Sequence, residues 1–176
     1  TVLSILRQGI GLQQSPPNML IVSLALFLTW FIMEPVMTEA WNSGIAPLLD
    51  GTIDFRTAFE RGAVPFRGFM AARIDVDTLQ ELAALRPAAT QIVDPAQAPL
   101  SLLVPSFMLS EMSRAFEIGF LLYLPFLVID LVVSAVLMSM GMMMVPPAVV
   151  SLPFKLAFFV MADGWALVSG ALVRSY

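Results

Sequence analysis

The chain has neither cysteine nor histidine, and those two absences remove most of the chemistry a protein of this size could carry. A disulfide framework, a thiolate nucleophile, His-ligated haem, a Cys/His zinc site and an imidazole general base are all excluded. Most hydrolase and oxidoreductase arrangements fall with them, so neither an enzyme nor a bound cofactor or metal is expected. Charge is scarce as well. Only 12% of the 176 residues are charged, about half the ~25% of an ordinary soluble domain. The nine cations form no cluster and the net charge is −4, which argues against nucleic acid as a partner. What the chain has instead is apolar surface: 59% of its residues, with a mean hydropathy of +0.86. Membrane association is the first reading.

Four regions separate along the chain, grouped as residues 1–38, 39–100 and 101–176. Val2, Leu3, Leu6 and Ile10 recur at helical spacing, so Thr1 to Leu12 reads as the tail of a helix. Pro16-Pro17 then forces a break. Met19 to Met33 is free of charge until Glu34-Pro35 interrupts it. Fifteen residues make roughly 22 Å of helix, short of a ~30 Å hydrocarbon core, and continuing to Thr38 would reach nearer ~30 Å but carries Glu34 along. Residues 39–100 hold five arginines and eight acids and read as a water-facing helical insert. Phe55, Phe59, Phe66, Phe69 and Met70 fall on one helical stripe there, with Pro65 expected to kink or divide it. Asp77-Thr78-Leu79-Gln80 resembles a capping box opening a short helix, and Arg86 to Pro99 reads as a loop. No strand pattern of useful length appears. The fold class is all-α.

From Ile118 to Val150 a single charge, Asp130, interrupts 33 residues, too many for one ordinary span. Gly141 and Pro146-Pro147 mark the turn of a hairpin whose arms run roughly from Phe116 to Met140 and from Val150 to Val173. Asp130, Lys155 and Asp163 lie inside those arms, where each charge costs roughly 2.5–3.5 kcal/mol and calls for a partner. Counted from a turn near Met143, Asp130 and Lys155 fall at nearly the same depth, ~20 Å below the tip. They are expected to pair, within one hairpin or between copies; otherwise Lys155 snorkels and Asp130 meets backbone or water. A dyad of Asp130 with Asp163, as in an intramembrane protease, lacks the G-x-G-D context. Glu111, Arg114 and Glu117 recur at i, i+3, i+6 and fit either a solvated collar or an intersubunit charge network.

Met138, Met140, Met142, Met143 and Met144 crowd the predicted turn. Isolated methionines are usually core filler, but three consecutive side chains at a turn cannot all enter one core. Unbranched thioether chains can re-pack around changing shapes. Several such loops around an axis would form a deformable hydrophobic constriction that closes by excluding water.

With these residues in place the chain resembles the FliP family of flagellar type III export-gate subunits and their injectisome counterparts. The resemblance is carried by Gly11-Leu12-Gln13-Gln14-Ser15-Pro16-Pro17-Asn18, Leu24-Ala25-Leu26-Phe27-Leu28-Thr29, Glu117-Ile118-Gly119-Phe120 and Leu124-Pro125-Phe126-Leu127-Val128-Ile129-Asp130. Met140-Gly141-Met142-Met143-Met144-Val145-Pro146-Pro147, Leu152-Pro153-Phe154-Lys155 and Asp163-Gly164-Trp165 continue it. These run in family order over nearly the whole chain, with Trp41 to Pro99 the least distinctive part. The resemblance implies membrane-associated helical hairpins that build a multi-subunit, helical, pore-containing complex at the bacterial inner membrane, in the flagellar basal body. It implies about five copies, FliQ-like and FliR-like membrane partners, FlhB-like and FlhA-like export components, and unfolded proteins in transit. It places a methionine gasket at Met142, Met143 and Met144. It also implies helices lying largely within the assembly, displaced toward the periplasm, and a cleaved signal peptide and earlier apolar helix, with Thr1 partway along the latter. Pro146-Pro147 and the Ser-Tyr ending look more flagellar than virulence-type.

The arginines between Arg56 and Arg86 would draw the insert to the cytoplasm by the positive-inside rule, whereas the family places it in the periplasm. The interspersed acids make an ordinary mixed surface, so the family placement is preferred. Two other functions compete. A secondary transporter would use Asp130 and Asp163 as ion ligands, but the internal repeats usual in transporters are missing. A pure scaffold would leave the pore to other subunits.

Overall fold

In the computed structural model, which describes residues 1–12, 14–85 and 94–176, every regular element is helical. The helices are α1 (Val2–Ile10), α2 (Asn18–Ala40), α3 (Ala46–Leu49), α4 (Phe55–Ala71), α5 (Val76–Ala84), α6 (Leu100–Ser139), α7 (Pro147–Met161) and α8 (Gly164–Arg174). A π-helical turn, Trp41–Ile45, links α2 to α3, and a 3₁₀ turn, Pro95–Gln97, precedes α6. Residues 18–49 and 100–139 are long and apolar enough to cross a membrane, and α7 with α8 would make a third, bent span. Contacts gather the chain into two units, residues 1–32 with 115–176, and residues 33–114.

The first unit is built on α1. Its Val2, Leu3, Leu6 and Ile10 are buried with Ile21, Phe126, Phe159 and Val168, the i, i+1, i+4, i+8 spacing of one helical face. Burying a side chain of this size is worth roughly 1.5–3 kcal/mol. Gly9 makes the fit possible, since a Cβ there would stand 3.0 Å from the Phe126 ring. Arg7 closes the turn that follows. Its guanidinium donates to the Pro16 carbonyl at 3.2 Å and to Asn18 Oδ1 at 2.6 Å, fastening the break between α1 and α2.

The second unit packs Ile74, Leu79, Ala83, Ala98, Leu102 and Leu103 into a separate core. The π-helical turn crosses α4 where Gly44 meets Gly62. A Cβ on Gly44 would lie 2.6 Å from the Ala58 carbonyl oxygen, so only glycine admits the crossing. Arg67 donates to the Ala98 and Ala96 carbonyls at 2.7 and 3.2 Å, tying α4 to the 3₁₀ turn.

Four expectations from the sequence need correction. Glu34-Pro35 does not interrupt the first apolar helix, and α2 runs through Pro35 to Ala40. Proline removes one backbone donor but keeps a helical φ, and one lost bond does not end a helix already propagated through the apolar run from Met19 to Met33. At ~1.5 Å per residue the 23 residues of α2 reach about 34 Å. Pro65 likewise leaves α4 undivided. The stripe on α4 packs only in its second half: Phe66, Phe69 and Met70 are partly buried, whereas Phe55 and Phe59 are exposed. The helix expected to start at a capping box on Asp77 is capped by Asp75, whose carboxylate accepts from the Asp77 amide at 3.1 Å and from Thr78 Oγ1 at 3.1 Å. Of the predicted loop from Arg86 to Pro99, residues 86–93 lie outside the described set.

The hairpin differs in both arms. The first does not begin near Phe116 but is one helix from Leu100, so Glu111, Arg114 and Glu117 share α6 with Asp130. The second breaks at Ala162-Asp163, where α7 and α8 meet at a 58° bend. Asp163 adopts φ +48, rare for a non-glycine residue. Gly164 fixes the joint, because a Cβ there would fall 2.1 Å from the Phe159 ring. Trp165 meets the same ring edge-on at 5.4 Å.

Candidate functional site

The methionine run sits on a stiff base. Gly141 takes φ +75 after the last turn of α6, and its amide donates to the Met138 carbonyl at 3.1 Å while the Met142 amide donates to Leu137 at 3.0 Å. These are the two bonds of a Schellman stop, which needs a left-handed residue and so favours glycine. Pro147 then opens α7 at its first position, where a missing amide hydrogen costs nothing. Between these two ends Met143 is 86% and Met144 96% exposed, with Met142 at 43%. Apolar side chains this uncovered, on a loop pinned at both ends, stand ready to be covered by something outside the chain.

Below the loop, α6 and α7 are joined by one polar cluster. Lys155 Nζ donates to Asp130 Oδ2 at 2.6 Å, and Ser151 Oγ donates to Asp130 Oδ1 at 2.5 Å. Both carboxylate oxygens are therefore engaged. Ser151 and Lys155 are buried, one turn apart on the same face of α7, while the Asp130 side chain keeps 30% exposure. Asp130 lies nine residues before the end of α6 and Lys155 eight after the start of α7, roughly 14 and 12 Å from the loop. The pair lies within one chain. Removing either partner would leave the other charged and uncompensated in apolar surroundings, a loss of about 3–5 kcal/mol. Ser151 is the member that pattern reading passed over, although its i−4 spacing from Lys155 would have placed it on that face.

The other charges are arranged differently. Glu111 is held by Arg114 at 3.5 Å on its own helix and by Arg73 at 3.4 Å. Arg73, which the sequence did not single out, also stacks 5.3 Å above the Phe69 ring. Glu117 is exposed and joins no ion pair among the described residues, and the same holds for Asp163. Both oxygens of Asp130 are taken by Ser151 and Lys155, so Asp130 and Asp163 do not share a proton-bridged dyad.

The order of these features along the chain matches a known pattern: a model of the FliP family fits residues 1–172. The chain belongs to the FliP family. It is 54% identical to the flagellar biosynthetic protein FliP of Caulobacter vibrioides over 99% of this chain and 65% of that relative. Identity to the Cereibacter sphaeroides protein of the same name is 49%, covering 99% and 58% of the two chains. The Bacillus subtilis FliP protein is 42% identical over 99% and 79%. The chain thus spans somewhat less than two thirds of the first two relatives. The FliP match takes in the methionine loop, the Asp130–Ser151–Lys155 cluster and the bend at Asp163.

Proposed function

We propose that this chain is a non-enzymatic core subunit of the bacterial flagellar type III protein export gate. About five copies, with FliQ-like and FliR-like membrane subunits, enclose a pore at the inner membrane that passes unfolded flagellar proteins handed on by FlhB-like and FlhA-like components. In this reading residues 1–38 and 101–176 form the pore-building helices, residues 39–100 face the periplasm, and Met142, Met143 and Met144 of each copy meet around the axis. The observation that carries it is the exposed methionine loop on a pinned turn, in a chain of the FliP family. A ring of such loops excludes water when closed and yields to a polypeptide because thioether chains re-pack at small cost. The Asp130–Ser151–Lys155 cluster holds the two arms in register beneath the loop, so that the tip is soft while its support is not. The flagellar names of the relatives favour this over the equivalent role in a virulence-type system.

Replacing Met142 to Met144 with alanine in the full-length protein tests the gasket. The expected outcome is a membrane that leaks small ions while the complex still assembles. Unchanged permeability together with unchanged secretion would remove the gasket and leave a scaffold.

A further inference from the structure

The unit formed by residues 1–32 and 115–176 contains six charged side chains: Arg7, Glu117, Asp130, Lys155, Asp163 and Arg174. Cations and acids balance, yet among the described residues the sole ion pair between them is Asp130 with Lys155. Asp163 lines a cavity of about 530 Å³ whose other walls are largely apolar, including Leu20, Ile21, Leu24, Leu156 and Trp165. An apolar groove with a single unopposed acid fits an apolar occupant that brings one cation.

The other face of α8 has that composition. Trp165, Val168 and Leu172 turn into the core. Leu167, Ala171 and Arg174 form a second stripe at i, i+4, i+7, and all three are exposed. Arg174 Nε donates to the Gly170 carbonyl of its own helix at 3.1 Å and meets no carboxylate among the described residues. We propose that the outward stripe of α8 in one copy seats in the groove of the next, with Arg174 of the first ion-paired to Asp163 of the second. The two patches differ and lie about 16 Å apart along α8, so the contact is heterologous and propagates head to tail around an axis. The inference rests on the homo-oligomer proposed above.

Residues 1–176 bring no cysteine of their own to the test. Leu20→Cys and Ala171→Cys are introduced together into the full-length protein, in cells that make the whole assembly, and membranes are oxidised. The expected result is a ladder of disulfide-linked copies that neither single variant gives. Separately, Asp163→Arg and Arg174→Asp should each lower the recovered oligomer on the order of tenfold or more, as loss of a buried interfacial pair does, and the double swap should restore most of it. An intact oligomer with no ladder and no rescue overturns the inference, leaving the groove to a lipid or a different subunit and the homo-oligomer standing. A wild-type protein whose mass corresponds to one copy per complex overturns both. The cross-link is made with both charges native, so it decides the matter even where a charge variant fails to fold.

Discussion

The two units differ most in what a charge means within them. Residues 1–32 and 115–176 hold six charged side chains, against sixteen in the shorter stretch of residues 33–114. In the second unit charges are mostly surface. Arg56 and Glu60 pair while 84% and 62% exposed, and their removal would uncover nothing. In the first unit three of the six charges have a specific setting: Asp130 with both oxygens filled by Ser151 and Lys155, and Arg7 fastening the turn between α1 and α2. Scarcity makes a charge informative. An ion pair between water-exposed groups is worth roughly 0.2–1 kcal/mol, several times less than the penalty for orphaning one member of a buried pair.

The widest separation between the units should come from Lys155→Met set against Arg56→Met. The first leaves Asp130 with Ser151 alone and should cost about 3–5 kcal/mol, read as a lower midpoint in denaturant unfolding of the purified protein in detergent. Adding Asp130→Asn should recover much of that loss, because the orphaned charge is then gone. Equal midpoints for Lys155→Met and Arg56→Met would erase the distinction. A smaller contrast lies in two glycines. Gly164→Ala drives a methyl into the Phe159 ring and should cost about 1–3 kcal/mol by overpacking. Gly68 lies in the last turn of α4 with nothing within 4 Å of a built Cβ, so Gly68→Ala should stabilise by up to roughly 0.5–1 kcal/mol.

The features legible in the sequence were those set by local rules. Helical periodicity located α1, but its end is set by Gly11, which takes φ +91 five residues before the proline pair that was expected to force the break. Gly141 and Pro147 marked the turn because a left-handed residue stops one helix and a proline can open the next. The depth of Asp130 and Lys155 followed from a constant rise per residue. Other features did not follow from pattern alone. Whether Pro35 ends a helix turns on the strength of the apolar run before it, and of the two lengths open in the sequence the structure takes the longer, to Ala40. The bend at Asp163 is local, with Phe159 packed against Gly164 and Trp165 inside seven residues, but apolar periodicity runs straight through it and gives no sign of the turn. Arg73 reached Glu111 from 38 positions away, and nothing in its neighbourhood announced that. The cap on α5 was missed by two residues because Asp75 and Asp77 offer the same chemistry and only the backbone decides between them.

The smallest effect sharpens the comparison from the other side. Arg56→Ala removes one partner of the Arg56–Glu60 bond at 3.1 Å, which spans one turn of α4. Both groups remain hydrated without each other, and a pair of this spacing is worth about 0.3–0.5 kcal/mol. The expected shift is therefore at the edge of detection at low salt and should vanish near 1 M salt, where the screening length falls to about 3 Å. The Lys155→Met loss should survive the same salt almost unchanged, because Lys155 is buried and its partner lies 2.6 Å away. Salt thus separates the two kinds of charge without any further substitution. If both effects faded together, Lys155 would have to be reached by solvent, and the cluster beneath the methionine loop would be a surface pair like the one on α4.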